Sequence, residues 1–180
     1  RGDVQKLLEA AYSDFSTRNI GLIAHMAYEW CQRLGDMRML VWDNIDFETQ
    51  TVHIEQSKRH ADVHLPIEDD LFEMLKQQEQ DFGFQKYVAP RPYAIQGEYR
   101  PYSLQKLPLY GRALMDAAGL SKELRLSDLR RTGTTEMVEA GVGMGQIMSV
   151  TGHANPSSVK PYMKNTRKSA ELALTARKNS

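Results

Sequence analysis

Three residues near the end of this 180-residue chain could act together on one phosphate. They are Arg130 in Ser127-Asp128-Leu129-Arg130-Arg131, His153 in Thr151-Gly152-His153, and Tyr162 in Val159-Lys160-Pro161-Tyr162. A guanidinium presents a fork of N–H donors matched to phosphate oxygens. An imidazole can donate to a further oxygen. A phenol can attack phosphorus and form a covalent ester. Together these groups imply breaking and rejoining a DNA strand.

The spacing sharpens that implication. Arg130 and His153 are 23 positions apart, and His153 and Tyr162 are 9 apart. Upstream, the chain reads Arg33-Leu34-Gly35-Asp36-Met37-Arg38-Met39-Leu40-Val41-Trp42-Asp43-Asn44-Ile45-Asp46, and then Ile54-Glu55-Gln56-Ser57-Lys58. With these motifs in this order, the chain from about residue 15 to 165 resembles the catalytic domain of tyrosine recombinases, in particular phage-type integrases. The resemblance implies that Arg33 and Arg130 clamp the scissile phosphate and that His153 adds a donor. It also implies that Tyr162 is the nucleophile and that Lys58, on a β-hairpin, protonates the departing 5′ oxygen. The product is a 3′-phosphotyrosine, which a 5′ hydroxyl from a second duplex then attacks. The bond energy is retained in the ester, so neither ATP nor a metal or other cofactor is required.

One position departs from the family pattern. Ser127 stands where the family usually has histidine and sometimes lysine. A serine hydroxyl does not accept a proton near neutral pH as an imidazole does. The alternative for Ser127 is an N-cap, its oxygen accepting from the free N–H groups of a helix's first turn.

Composition sets the outer limits. The length fits one domain, or one plus a small appendage. The longest apolar stretch, residues 20–30, is interrupted by His25 and Glu29 and is too short to span a bilayer. No secretory signal is visible, and the resemblance to phage-type integrases implies a cytoplasmic location on bacterial host DNA. The single cysteine, Cys31, lies on an apolar stretch and reads as buried packing in a reducing compartment. Net charge is zero, yet residues 101–180 hold 12 Lys and Arg against 6 Asp and Glu, while residues 1–100 hold 11 against 17. The basic half carries the motif residues, as phosphate contact requires.

The elements that must position these groups read as α+β: mostly helical, with a small three-stranded antiparallel sheet. Helices are expected over 3–15 and 17–32 from their apolar spacing. Alternation at Val52/Ile54 and Val63/Leu65 gives a hairpin turning at residues 57–61, with a short strand near Ile45. Pro66 is expected to open a helix reaching Gln80. Residues 83–103, with three prolines and four tyrosines interleaved with arginines, form a long loop. Further helices are expected over 108–118, 128–140 and 143–150. A last catalytic helix is expected from Asn155 and Pro156, broken by Pro161 so that Tyr162 lies at a frayed end. Residues 1–165 form the catalytic domain, and residues 166–180 a helical tail docking on a neighbouring protomer.

The family resemblance implies a homotetramer on double-stranded DNA, a monomer in isolation, and a separate N-terminal DNA-binding domain outside this fragment. His53, His60 and His64 do not share a helix face and have no clustered partners, so no metal site is expected there. Two competing functions remain: a non-enzymatic helix-turn-helix regulator built on residues 128–150, and a type IB topoisomerase that relaxes supercoils. The regulator gives Arg33 and Lys58 no role.

Overall fold

The computed structural model describes residues 2–58, 60–162 and 167–180; the side chains of residues 162 and 167–169 lie outside the description. Its elements run α1 (Gly2–Tyr12), α2 (Phe15–Glu29), α3 (Leu34–Arg38), β1 (Ile45–Asp46), β2 (Thr51–Glu55), β3 (Asp62–Pro66), α4 (Asp69–Phe82), α5 (Leu107–Ala117), α6 (Leu129–Glu139), α7 (Met144–Thr151) and α8 (Arg167–Lys178). The class is the expected one, helical with a small antiparallel sheet.

Helix α2 is the axis of the core. Every residue from Asn19 to Tyr28 is buried, because apolar or small side chains occupy all its faces, as a helix packed on every side requires. Helices α1, α3, α4, α5 and α6 all pack against it. The helix begins at Phe15, two residues earlier than the sequence suggests, because Asp14 caps it by accepting from the Ser16 N–H at 2.8 Å. It ends at Glu29, short of the expected Gln32. Cys31 then takes a left-handed conformation (φ 52°) that turns the chain toward Arg33.

The sheet order is β1-β2-β3, antiparallel throughout, with Ile45 opposite Val52 and Val52 opposite Leu65. Val52, Ile54, Val63 and Leu65 are buried on one face, while His53 and His64 stack on the other with ring centroids 4.2 Å apart. Pro66 does not open a helix. It closes β3 opposite Thr51, on an edge strand where a missing N–H is tolerated, and α4 starts three residues later. Helix α7 packs beside β3.

The long loop after α4 is held by buried polar groups. Gln78 Nε2 donates to Asn19 Oδ1 at 2.9 Å and to Val88 O at 2.8 Å, and Asn19 Nδ2 donates to Pro90 O at 2.7 Å. Tyr102 is buried and Tyr99 packs edge-on against Phe82 and Phe84, whereas Tyr93 is exposed. Tyr99 and Tyr102 thus help anchor the loop, while Tyr93 does not. The expected helix after Asn155 is replaced by two single 3-10 turns, Pro156–Ser158 and Lys160–Tyr162. Asn155 still caps the first, accepting from Ser157 N at 3.0 Å. Pro161 has no N–H to sustain an α-helical ladder here. Of the expected tail helix, Thr166 lies outside the described residues. No described helix is long and apolar enough to cross a membrane.

His25 gives the core a pH dependence. It is buried in α2, with Tyr12 Oη 2.8 Å from its Nδ1. Burial pushes the imidazole down to about 4, against the pull of Asp70. Unfolded histidine titrates near 6.5, so below that value the unfolded chain binds a proton that the folded one refuses. Stability attributable to His25 is thus full above pH 6.5 and falls on acidification. About 2 kcal/mol is expected to be lost between pH 7 and pH 5. Urea denaturation at the two pH values should show a clearly smaller loss for His25→Gln.

Candidate active site

Arg33 is the residue before α3 and caps its N-terminus through its backbone, its carbonyl accepting from the N–H groups of Asp36 and Met37 at 3.1 Å. Its placement follows from the end of α2, whose packing fixes where the chain emerges. Arg130 lies on the first turn of α6, and α6 packs closely on α2 at Gly133. A Cβ there would sit 2.6 Å from Tyr28 O and 2.8 Å from Cys31 Sγ, so only glycine allows that approach. His153 follows α7 directly. Arg33, Ser127, Arg130, Arg131, Thr134 and His153 line one cleft of about 240 Å³.

Four of the six expected site residues therefore meet: Arg33, Ser127, Arg130 and His153. Arg33 Nη1 is buried and has no hydrogen-bond partner among the described residues. No ion pair joins it to Asp36; the Asp36 carboxylate accepts instead from the backbone N–H of Ser57 at 3.2 Å. Ser127 is not the N-cap of α6. It sits inside a 3-10 turn, Leu126–Asp128, that precedes the helix, and the capping position falls to Asp128. Lys58 lies in the exposed hairpin turn and does not line the cleft. Its neighbour Arg59, a rival for the same role, lies outside the described residues, as does the side chain of Tyr162.

What joins the cleft walls is a buried knot that the motifs do not reveal. Arg130 Nη2 donates to Thr151 O at 2.8 Å. Gln56 Nε2 donates to the same carbonyl at 2.8 Å and to Gln32 Oε1 at 2.8 Å. Gln32 Nε2 in turn donates to Trp30 O and Val150 O, each at 2.8 Å. Thr151 Oγ1 is 2.6 Å from His153 Nδ1. Gln32, Gln56 and Thr151 are each essentially inaccessible to solvent. One signal for Gln56 was present in the sequence. It continues the inward register of Val52 and Ile54, so a polar group there must find buried partners.

Gly152 has two reasons to be glycine. Its φ is +74°, and a Cβ would fall 2.5–2.7 Å from the Gln56 amide atoms. The Cys31 thiol is pushed up to about 11, chiefly by burial, and so is not a nucleophile at neutral pH. Among the described residues, one group could hold a metal by proximity: His25, Glu29 and Glu68, whose ligand atoms lie within 4.8 Å of one another. It shares no residue with the cleft lining.

A helical domain with a three-stranded sheet and an arginine–histidine cleft is the architecture of tyrosine recombinase catalytic domains, and comparison with known proteins agrees. Residues 2–169 match the model of the phage integrase family, and the chain belongs to that family. Among solved structures it resembles XerA recombinase (17% identity, TM-score 0.75, covering 98% of this chain and 62% of that one). It also resembles the Tn1549 transposon integrase in complex with a circular intermediate DNA (13%, TM-score 0.76, 96% and 63%). A third neighbour is a lambda integrase tetramer bound to a Holliday junction (20%, TM-score 0.69, 91% and 47%). The chain thus spans between about half and two thirds of the length of these structures. No match was found among curated protein sequences.

The knot makes a checkable demand on Gly152. Gly152→Ala must place a side chain at positive φ, costing about 1–2 kcal/mol before the Gln56 amide is displaced. Chemical denaturation should show a loss of at least that size. A Gly119→Ala control pays the same positive-φ cost (φ 72°) with no atom within 4 Å of the added Cβ, and so should lose only that amount.

Proposed function

We propose that this chain is the catalytic part of a site-specific DNA recombinase that cuts and rejoins strands through a 3′-phosphotyrosine. The observation that carries the reading is the convergence of Arg33, Arg130 and His153 on one cleft from three separate segments. A buried guanidinium nitrogen without a partner among the described residues, as on Arg33, suits an anion supplied from outside. In the reaction, Tyr162 Oη bonds to phosphorus and its phenolic proton passes to solvent water, since Ser127 does not accept one near neutral pH. The P–O5′ bond breaks with its electron pair on O5′, which takes a proton from Lys58 Nζ. Arg33 and Arg130 meet the charge developing on the non-bridging oxygens. If Thr151 donates to His153 Nδ1, the ring carries its remaining N–H on Nε2, the form able to donate to phosphate. Attack by a second strand's 5′ hydroxyl reverses these steps. Beyond the water that takes the phenolic proton, the groups named are side chains of this chain and the DNA itself, and the scheme draws on no ATP or metal.

The partner in this reading is double-stranded DNA, and the lambda integrase tetramer on a Holliday junction is the model for the assembly. The isolated chain is expected to be monomeric. The C-terminal tail, residues 166–180, is the segment expected to dock on a neighbouring protomer. The work takes place on DNA in the cytoplasm of a bacterial host. A helix-turn-helix regulator using α6 and α7 is disfavoured, because it leaves the Arg33 contribution to the cleft without purpose.

The test is a selection of duplexes from a random-sequence library for attachment to the protein that survives denaturation in detergent. Wild type should retain DNA on Tyr162, identified by mass spectrometry of the tryptic peptide. Tyr162→Phe should retain none while binding the recovered duplex with unchanged affinity. Arg33→Ala should slow attachment by about 100- to 1,000-fold, the usual effect of removing one preorganised donor. Equal retention by wild type and Tyr162→Phe would sink the reading.

A further inference from the structure

Lys58 presents a problem of reach: it stands on an exposed turn outside the cleft lining, yet in the proposed reaction it must deliver a proton at the scissile bond. A lysine side chain on a free hairpin tip has many rotamers and no fixed relation to the phosphate. Two contacts set the relation of this tip to the cleft, and both arise from the residues immediately before Lys58. The Gln56 amide is buried between Gln32 Oε1 and Thr151 O, at 2.8 Å from each. The Ser57 backbone N–H donates to Asp36 Oδ1 at 3.2 Å. Their partners are themselves tied to the cleft. Gln32 precedes Arg33, Asp36 is on the helix that Arg33 caps, and Thr151 accepts from Arg130 and contacts His153.

We propose that Gln56 is a positioning residue that, with Asp36, clamps the hairpin tip to the cleft wall so that Lys58 can protonate the leaving 5′ oxygen. The clamp is economical: one buried amide measures the hairpin against the carbonyl that also holds Arg130. Gly152 is part of it, since any larger residue would occupy the space of the Gln56 amide. This proposal rests on the strand-cleavage reading above and assigns Gln56 to one chemical event within it, the proton transfer to O5′.

That assignment separates it from a general structural role. In a duplex whose scissile bridging oxygen is replaced by sulfur, the P–S bond breaks with its electron pair on sulfur. The thiolate leaves without needing a proton, because a thiol is a far stronger acid than an alcohol. A defect confined to proton delivery should vanish on this substrate, whereas a defect in the phosphate cradle or in folding should persist. Single-turnover cleavage would be measured on a nicked duplex recovered by the selection above, in oxygen and sulfur forms, at saturating protein. Gln56→Met, which keeps the side-chain length but loses both donor contacts, should cleave the oxygen form about 10- to 100-fold more slowly than wild type. It should cleave the sulfur form at close to the wild-type rate, as should Lys58→Ala.

Equal slowing of Gln56→Met on both forms would overturn the proposal, assigning Gln56 to the cradle through Thr151, and so would no slowing on oxygen. Should that variant fail to fold, Asp36→Ala removes the second contact without entering the buried knot and must show the same sulfur rescue. Asp36→Asn keeps an acceptor for Ser57 and should cleave oxygen substrate near the wild-type rate. Wild type that cleaves neither form would remove the strand-cleavage reading itself, an outcome distinct from every variant-specific one.

Discussion

The Thr151 carbonyl is the point on which the rest of the site depends. It lies at the C-terminal end of α7, where a helix leaves its last carbonyls without intrahelical donors and concentrates partial negative charge. A guanidinium and an amide fill that need, from Arg130 and Gln56 respectively. A charge-assisted bond of this kind is shorter and stronger than a neutral one. Because its donors come from α6 and from the end of β2, one oxygen fixes the helix, the hairpin and the segment carrying His153 relative to one another. The geometry of the cleft is thus largely the geometry of hydrogen bonding around a single helix end.

Charge inside the cleft follows from the same economy. Arg130 is oriented by a protein carbonyl, while Arg33 has a buried nitrogen without a partner among the described residues. A buried, unsatisfied donor on a cation is costly to maintain, and functional sites are where such costs are retained. Asp36, three positions from Arg33, could have neutralised it. Its carboxylate serves the Ser57 N–H instead, which leaves Arg33 more available to an external anion.

Much of this was legible in the sequence and some was not, for physical reasons that differ by residue. Amphipathic spacing and strand alternation revealed most elements because burial imposes those periods directly. Boundaries slipped where one local interaction outweighed the pattern: the Asp14 cap advanced α2, and Pro66 served an edge strand instead of a helix start. The helix expected after Asn155 was read from a good cap and proline, yet these support only one 3-10 turn when a second proline follows five residues on. Motif spacing brought out Arg33, Arg130 and His153, since family resemblance preserves the order of chemical groups. Gln32 and Thr151 left no such trace, because their roles are set by which backbone carbonyls happen to be near them in space. Ser127 was read both as a site position and as a helix cap, and the tertiary arrangement places it in the cleft lining with Asp128 at the cap.

The two outer strands of the sheet have a bearing on crowding. Strand β1 is two residues long, and β3 ends in a proline with α7 lying beside it. A sheet with a long bare margin invites backbone pairing with any identical sheet nearby. Here one margin is too short to template a partner strand, and the other ends in a residue that lacks a donor and lies next to a helix. Copies of this chain brought close together can therefore stand side by side without zipping into a continuous β-structure.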